Sequence, residues 1–379
     1  MNFKEKSLKD ITKEIIDYRG KTPKKLGSNW SKTGYRALSA KNIKNGSIVQ
    51  ENTIRYVDSN LYKKWMKQEV DRNTILITSE APFGELLFWD SDEKIVLSQR
   101  IFGIKIKNNI NPKYVYYYMN SYKFQEELKG RSTGSTVTGL RQPELLKCKI
   151  LLPPLDFQNK IAKILSTIDK KTELNNQIND NLYEISKQLL LKYLDENKSS
   201  DEINISKFLN IFTGKKNANE TSPTGKYKFF SCAPESLLSD TYLCDSAAII
   251  VAGNGAYTGR TRFYDGKFEL YQRTYGLTLK DGFEKNNIYG LYIFMKTIFE
   301  PDKMGGTHGS AIPYIVLSDL TDYKIKYNKV EFDRFSNLVS GNIKMIQENE
   351  KSNEKLSELR DTLLPKLMNG EIDLENIEI

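Results

Sequence analysis

The sequence predicts an α+β fold, in which two similar mixed α/β domains are separated by two long helices packed as an antiparallel coiled coil. Three observations lead to this prediction: two segments with helical periodicity, two β-rich regions of similar pattern, and an internal repeat of about 175 residues. We place a first domain at 1–152 and a second at 201–329. The central helix then takes 153–200 and the C-terminal helix 330–379. The whole has a pseudo-two-fold internal repeat.

Both β-rich regions carry short runs of alternating apolar residues bounded by turn residues, a pattern typical of mostly antiparallel sheet. The expected strands are 73–78, 86–89, 94–98 and 102–106 in the first region, and 246–251, 261–264, 268–271 and 275–279 in the second.

The first helical segment, 156–196, contains neither Gly nor Pro. Its apolar residues recur at steps of three or four, with one step of ten, as one face of a helix requires. These residues are Ile161, Ile164, Ile168, Ile178, Leu182, Ile185 and Leu189. Asp156 is a suitable N-cap. A helix of about 40 residues would be roughly 60 Å long.

The second helical segment, 331–368, has a similar pattern. Leu338, Met345 and Leu359 share one heptad position, while Leu356 and Leu363 share another. That second position holds Asn342 and Asn349 further upstream, and Asn175 is similarly placed in the first helix. If these asparagines lie between the helices, they fix the register of the pair at a cost in stability. Alternatively, they face solvent where the seam opens. Both interpretations stay open. Periodicity alone also allows parallel or antiparallel packing.

The internal repeat is the most informative feature. Identical dipeptides occur in both halves of the chain at offsets of 173 to 175 residues. One further match, near the start of each half, has a larger offset. They are Gly134-Ser135 with Gly309-Ser310, Lys149-Ile150 with Lys324-Ile325, Gln99-Arg100 with Gln272-Arg273, and Gly20-Lys21 with Gly214-Lys215. A tandem duplication of this kind gives pseudo-two-fold symmetry if the helices are antiparallel. Double-stranded DNA has matching two-fold symmetry in its backbone.

Charge and composition narrow the class of partner. The net charge is +9 and the pI about 9.0, so the surface attracts polyanions such as nucleic acid or anionic lipid. The three cysteines are scattered without metal-ligand spacing, as expected of reduced thiols. The charged N-terminal residues do not resemble a signal peptide, and the apolar stretches 247–252 and 150–155 are too short to cross a bilayer. We therefore expect a cytoplasmic protein without a membrane partner.

The sequence offers no catalytic constellation. His308 is the single histidine, which excludes paired-histidine zinc and nuclease motifs. The segment Gly253–Gly259 is the nearest approach to a glycine-rich cofactor loop, but its spacing is wrong, and a turn between strands is the simpler interpretation. We expect a chain with no enzymatic activity, no cofactor and no metal of its own.

At this point the residues resemble a known family, the specificity (S) subunits of type I restriction–modification systems. Gly20-Lys21-Thr22-Pro23 resembles the loop that opens the family's first target-recognition domain. The run 150–155 with Gln158 and Ile161-Ala162 is similar to the family's Pro-Pro-Leu…Gln…Ile-Ala signature. The segment 363–372 resembles its C-terminal signature. The second domain departs from this pattern, because Lys216-Asn217 replace Thr-Pro and no Pro-Pro precedes its helix.

The resemblance implies a non-catalytic subunit whose two target-recognition domains each recognise half of a bipartite double-stranded DNA sequence. The paired helices would set the length of the unrecognised spacer. They would also dock two modification subunits, which bind S-adenosylmethionine and methylate adenine. Restriction subunits would join the full complex.

Candidate DNA contacts are polar and cationic side chains in the repeated loops, because such groups bind base edges and phosphates. In the first domain they are Lys21, Lys24, Lys25, Lys41, Asn42, Gln99, Arg100, Arg131, Ser132, Thr133, Ser135 and Thr136. In the second they are Lys215, Lys216, Gln272, Arg273, Thr307, His308 and Ser310. Simpler interpretations stay open: the glycine loops shape turns, the glutamines are buried sheet amides, the lysines form a solvated face, and His308 hydrogen-bonds within its loop.

Two other functions compete with DNA recognition. A coiled-coil adaptor without nucleic-acid affinity would use its helices to hold partners and its sheets to bind peptide or glycan. A stand-alone nuclease or methyltransferase would show activity as a single purified chain.

Overall fold

The structure, a computed structural model, describes residues 3–133, 139–298 and 313–375. The chain forms two compact units. Unit 1 comprises Met1–Lys171 and Lys355–Ile379, and unit 2 comprises Thr172–Glu354. The boundary between the units falls inside both long helices, so each unit contains a part of each helix. The four consecutive segments expected from the sequence therefore stay a prediction.

Helices are numbered in chain order. They are α1 (Leu8–Ile11), α2 (Ser59–Trp65), α3 (Pro112–Asn120), α4 (Tyr122–Gly130), α5 (Gln142–Lys147), α6 (Leu155–Glu196), α7 (Asn287–Ile298), α8 (Leu317–Thr321) and α9 (Lys329–Met368). The two predicted long helices are thus α6, with 42 residues, and α9, with 40. Helix α6 begins one residue before Asp156, so Asp156 lies in the first turn and is not the N-cap that the sequence suggested.

Strands are numbered in the same way. Those of unit 1 are β1 (Lys4–Ser7), β2 (Thr12–Asp17), β3 (Tyr35–Leu38), β4 (Ile43–Lys44), β5 (Ser47–Ile48), β6 (Arg55–Val57), β7 (Thr74–Ser79), β8 (Phe83–Trp89), β9 (Val96–Leu97), β10 (Ile101–Ile106) and β11 (Lys149–Leu152). Those of unit 2 are β12 (Glu202–Asn204), β13 (Leu209–Thr213), β14 (Tyr227–Phe230), β15 (Leu237–Ser239), β16 (Cys244–Ala252), β17 (Thr261–Leu270), β18 (Thr274–Leu279) and β19 (Lys324–Lys326).

Unit 1 is built on a four-stranded antiparallel sheet of order β2-β10-β7-β8, in which Ile104 of β10 lies between Ile15 and Ile75. A smaller sheet of order β6-β3-β9 contains the parallel pair β3–β9. The core between the larger sheet and the helices contains Phe102, Tyr114 and Phe124. The unit therefore buries a core of its own.

Unit 2 repeats this plan with a six-stranded sheet of order β13-β18-β16-β17-β14-β15. Its first four strands correspond in order to β2-β10-β7-β8, as the internal repeat predicts. The strands expected separately at 261–264 and 268–271 are one continuous strand, β17, because Gly266 keeps the register with Ser246 at a φ of 135°. Phe208, Leu291 and Phe332 lie at the centre of the core.

A two-stranded antiparallel sheet precedes each long helix. Strands β1 and β11 pair with Lys6 opposite Ile150, and strands β12 and β19 pair with Ile203 opposite Ile325. The repeat Lys149-Ile150 with Lys324-Ile325 thus occupies the same place in both units. These pairs bring the two ends of each globular part side by side.

Helices α6 and α9 are antiparallel within each unit. In unit 2, the amide of Asn342 donates to Ser186 at 3.1 Å, that of Asn349 to Asn179 at 2.8 Å, and that of Asn353 to Asn176 at 2.8 Å. The residue numbers therefore rise along one helix as they fall along the other. In unit 1, Arg360 of α9 lies 3.8 Å from Asp169 of α6.

The asparagines lie in the helix seam and do not face bulk solvent. Asn175 is only 1% exposed, and its amide donates to Asn353 at 2.7 Å. In contrast, one of the two apolar heptad positions expected for α9 is not buried: Leu338, Met345 and Leu359 are 55%, 49% and 46% exposed. Leu356 and Leu363, at the other position, are half-buried. The buried residues of α9 include Val339, one position after Leu338, and Ile343, two positions before Met345. The buried face is therefore rotated relative to the exposed heptad position.

Candidate nucleic-acid interface

A cleft of about 270 Å³ opens in unit 1 where three loops meet. Four of the predicted contact residues line it: Lys21, Lys41, Gln99 and Arg100. The other polar lining residues are Thr22, Ser39, Thr53, Arg55 and Ser98, with Trp30 and Trp65 as its aromatic walls. Residues separated by up to 79 positions in sequence are thus brought to one concave, basic surface.

The pair Gln99-Arg100 forms the turn between β9 and β10, and both side chains are exposed. The alternative that Gln99 is a buried sheet amide is therefore wrong. Arg100 adopts a φ of 67°, and its guanidinium lies 2.7 Å from the carboxylate of Glu80. The backbone carbonyl of Gln99 accepts from Ala40 at 3.1 Å, which fixes the turn beside Lys41.

The lysines near the start of the chain divide into structural and free side chains. Lys21 donates to the carbonyl of Trp65 at 2.8 Å, and burial lowers the pKa of its ammonium group. Lys25 donates to the carbonyl of Gly20 at 2.8 Å. Lys24 is exposed in a single turn of 3-10 helix, 24–26, so its charge is available to a phosphate.

Asn42 does not lie on the cleft surface, so its prediction as a DNA contact is wrong. Its side chain is 1% exposed. The oxygen accepts from the backbone and hydroxyl of Ser39 at 3.1 and 2.8 Å, and the nitrogen donates to Thr53 at 3.2 Å. The amide is thus used to hold the loop that carries Lys41, which is exposed at the cleft.

The segment Arg131–Thr133 does not line this cleft. Arg131 forms ion pairs with Glu127 at 2.9 Å and Glu144 at 3.8 Å, so its charge is largely neutralised. The hydroxyl of Ser132 donates to Lys129 at 2.6 Å. The backbone of Thr133 pairs with that of Gly139.

Unit 2 has a corresponding cleft of about 540 Å³, lined by Gln272 and Arg273. These two residues form the turn between β17 and β18, which is equivalent to the turn that holds Gln99 and Arg100. Both side chains are exposed, and the amide of Gln272 donates to Asn217 at 2.8 Å. Within the described ranges, Arg273 forms no ion pair. The remaining lining includes Tyr275 and Tyr314.

Lys215 is exposed, but Lys216 is held in place by the fold. The ammonium of Lys216 lies 3.0 Å from the hydroxyl of Ser239, 2.5 Å from that of Thr241 and 3.4 Å from the carboxylate of Glu269. Glu269 is 5% exposed, so this ion pair is internal. Lys216 thus has a structural role, and its contact with DNA stays a prediction.

Five of the predicted contacts lie outside the described residues and stay predictions. They are Ser135 and Thr136 in the first domain, and Thr307, His308 and Ser310 in the second.

Comparison with known proteins shows which family the chain resembles. Residues 1–184 match the family described as type I restriction modification DNA specificity domain. The chain is 23% identical over 350 residues to the MjaIX specificity subunit of Methanocaldococcus jannaschii, covering 81% of this chain and 79% of that protein. It is 32% identical over 126 residues to the EcoDI specificity subunit of Escherichia coli, covering 32% and 26% of the two chains.

A crystal structure of the type I restriction–modification system S subunit from M. genitalium has the same fold. The TM-score is 0.63 at 17% identity, with 97% of this chain and 96% of that chain covered. Residues 1–184 are thus similar to type I restriction–modification specificity subunits in sequence, and the chain shares the fold of an S subunit. The matched segment spans about a quarter of the E. coli relative.

The sequence analysis missed two residues of the first cleft, Trp30 and Arg55. The guanidinium of Arg55 lies 5.3 Å from the centre of the Trp30 ring, which is 36% exposed and 6.1 Å from Trp65. Arg55 forms no ion pair with the described part of the chain. Neither residue has an equivalent in the repeat, so the signal that guided the other predictions was absent. A lone Trp in the polar segment 28–33 was the one available signal.

The glycine-rich segment of the second domain is a connection between β16 and β17, as the simpler interpretation held. The nitrogen of Gly253 donates to Arg273 at 2.9 Å, and the hydroxyl of Thr258 to Pro313 at 2.7 Å. Arg260 lies 4.6 Å from the centre of the Tyr257 ring, which is 40% exposed. This segment supports the Arg273 turn and presents a further cation–aromatic pair.

Metal-binding clusters of His, Cys, Asp or Glu do not occur among the described residues. None of the helices in the described ranges is long and apolar enough to span a membrane.

Proposed function

We propose that this chain is a specificity subunit and recognises a bipartite double-stranded DNA sequence, with one half-site bound by each unit. The observation that supports this proposal most strongly is the repeated turn. Gln99-Arg100 and Gln272-Arg273 occupy equivalent turns in equivalent sheets, and each pair lines a cleft. A pseudo-symmetric protein with two such clefts matches the two-fold symmetry of the DNA backbone.

The side chains available in the clefts suit base recognition. Arginine binds the two acceptors of guanine with a pair of hydrogen bonds, and glutamine binds the acceptor and donor of adenine. Exposed lysines such as Lys24 and Lys41 neutralise phosphates, which makes binding sensitive to salt. The first cleft contains Trp30 and the second Tyr314, so the two half-sites should be different sequences.

We further propose that the long helices dock two modification subunits, which supply S-adenosylmethionine and methylate adenine, and that restriction subunits join the full complex. Support comes from the apolar residues that α6 and α9 leave exposed. Leu174 and Ile185 of α6 are 50% and 52% exposed, and Leu338 and Met345 of α9 are 55% and 49% exposed. A surface helix normally buries such residues, so a partner subunit would cover them.

The decisive experiment is co-expression with the modification subunit encoded beside this gene, in a host without related systems, followed by sequencing of methylated adenines. One bipartite motif should appear. Replacing Gln99 and Arg100 by alanine should change or abolish recognition of one half-site only, and the same change at Gln272 and Arg273 should affect the other half-site only. If co-expression of the unsubstituted chain leaves the methylation pattern of the host unchanged, the proposal is contradicted and a non-nucleic-acid adaptor is favoured.

Docking is tested with the double substitution Leu338→Glu and Met345→Glu. This variant should lose co-purification with the modification subunit and keep the DNA affinity of the isolated chain. The matched control is Lys344→Glu, which changes charge on the same helix without removing an exposed apolar side chain. Equal loss of co-purification in the control would contradict the assignment of the docking surface.

A further inference from the structure

Unit 2 contains a second cavity, distinct from the cleft at Arg273. Its volume is about 250 Å³, and it lies between strands β14 and β17 on one side and helices α7 and α9 on the other. Four cationic side chains line it, Lys228, Arg262, Lys296 and Lys351, together with two acidic ones, Glu350 and Glu354. The cavity is smaller than the 300–1,000 Å³ typical of pockets for drug-sized ligands and larger than the roughly 30 Å³ of one water.

Arg262 is the unusual residue of this cavity. One terminal nitrogen of its guanidinium donates to the carbonyl of Ala233, while the other, Nη1, is buried and has no hydrogen-bond partner among the described residues. Burial, followed by the nearby charge of Arg260, lowers the pKa of Arg262. A buried charge is costly unless it is paired and hydrogen-bonded. The arrangement therefore lacks an acceptor beside Nη1.

The acidic lining residues do not supply that acceptor. Glu354 forms an ion pair with Lys228 at 2.7 Å. Across residues 3–133, 139–298 and 313–375, Arg262, Lys296 and Lys351 form no ion pair. The ammonium of Lys296 lies 3.2 Å from the hydroxyl of Tyr292 and 4.3 Å from the centre of the Tyr183 ring. The cavity thus carries positive charge in excess of its own carboxylates.

We propose that this cavity binds a small phosphate-class oxyanion, held by Arg262 from the sheet and by Lys296 and Lys351 from the helices. Guanidinium groups bind phosphate oxygens with paired hydrogen bonds, and ammonium groups act as point charges. The hydroxyls of Ser236 and Tyr264 also line the cavity. Donors that approach from several directions suit a tetrahedral anion with four acceptor oxygens. The bound anion would connect β17 to α9 within unit 2.

The test is the thermal stability of the full chain as inorganic phosphate is added, with sodium chloride at equal ionic strength as the reference. Phosphate at about tenfold excess over its Kd should raise the Tm of unit 2 by roughly 3–6 °C in a saturable way. Arg262→Gln should abolish this rise. Because Arg262 is in a strand, Lys351→Gln at an exposed helix position is the second variant, and it should weaken phosphate binding several-fold.

A matched control separates this cavity from the proposed DNA clefts. Arg273→Gln removes a cation from the second cleft, so it should weaken DNA binding and leave the phosphate effect intact. Loss of the phosphate effect in Arg273→Gln, or its persistence in both Arg262→Gln and Lys351→Gln, would overturn the proposal. A Tm rise no larger than that in sodium chloride would do the same. None of these results depends on DNA recognition, so the two proposals fail separately.

Discussion

The cation–aromatic pair of Arg55 and Trp30 is the residue-scale feature with the sharpest consequence. Arg100 lies against Glu80 and Lys21 donates to a carbonyl, whereas Arg55 is exposed and forms no ion pair with the described residues. Of the two arginines in the cleft, Arg55 therefore needs the smaller rearrangement to contact a base. The flat ring of Trp30 limits the orientations available to its guanidinium.

We expect Arg55→Ala to lower affinity for the cognate DNA by roughly tenfold to a hundredfold and to relax specificity at one position of the first half-site, because one paired contact contributes about 1–3 kcal/mol. Affinity is measured by fluorescence anisotropy with cognate and single-base variant duplexes. Arg72→Ala is the matched control, because Arg72 carries the same charge in unit 1 but is paired with Asp90 and Asp92. An equal loss in both variants would mean that only net charge matters.

Substitutions at the neighbouring positions 41 and 42 should have different effects, one on DNA binding and the other on stability. Asn42→Ala leaves buried partners without hydrogen bonds, so it should lower the free energy of unfolding of unit 1 by about 1–3 kcal/mol. Lys41→Ala should change stability by less than about 0.5 kcal/mol and still weaken DNA binding. Urea unfolding and anisotropy measure the two effects. A stable Asn42→Ala protein with weakened DNA binding would contradict the structural role of Asn42.

Prediction of individual site residues depended on the repeat. Gln99, Arg100, Gln272 and Arg273 were found because the same pair recurs, and the structure places both pairs in exposed turns. Asn42 was misassigned because its burial depends on contacts with Val49–Thr53, which residue type alone does not reveal.

At the scale of elements, the polar seam of α6 and α9 is the feature with consequences for folding. Along it in unit 2, the amide of Asn342 donates to a serine hydroxyl, and those of Asn349 and Asn353 donate to other asparagines. A shifted register would leave buried amides without hydrogen-bond partners. The free energy of desolvating these amides would then not be offset, so the shifted register is disfavoured. The polar seam therefore lowers the stability of the helix pair and favours a single alignment of the two helices.

The pair Asn179 and Asn349 offers a double-mutant cycle. Asn349→Leu alone should lower the Tm, because it leaves Asn179 unpaired at a cost of about 1 kcal/mol. The double variant Asn179→Leu with Asn349→Leu should recover the parental Tm or exceed it, because two apolar side chains then meet. Calorimetry of all four proteins provides the measurement. Additive losses would contradict a direct interaction across the seam.

Element boundaries were predictable to different degrees. Helices α6 and α9 were found because long segments without Gly or Pro have few alternatives to helix. One of the two heptad positions predicted to be buried in α9 is exposed, because apolar residues occur on more than one face and periodicity does not identify the partner. The continuity of β17 was missed for a related reason, since Gly266 resembles a turn residue in sequence but lies within the strand.

At the scale of the whole molecule, the antiparallel helices give the proposed spacer ruler a specific test. Seven residues added between Lys171 and Thr172, and seven between Glu354 and Lys355, lengthen both helices by two turns, about 10.5 Å. Since one base pair occupies about 3.4 Å, the methylated motif should gain about three spacer base pairs with both half-sites unchanged.

Insertion into α6 alone is the control for this experiment. It shifts the part of α6 before the insertion relative to α9, where Asp169 faces Arg360, and should reduce the Tm without giving a longer spacer of defined length. Sequencing of methylated adenines is the common measurement. A changed half-site in the matched double insertion would refute the ruler.

The paired strands β12 and β19 also bear on how such a chain can change over time. Because Ile203 lies opposite Ile325, the backbone enters and leaves the 202–326 segment at adjacent points. A different globular segment with its own core and neighbouring ends could be spliced in there with two cuts, leaving the helices undisturbed. New binding preferences would then arise by exchange of a cassette, without rebuilding the subunit that its partners must recognise.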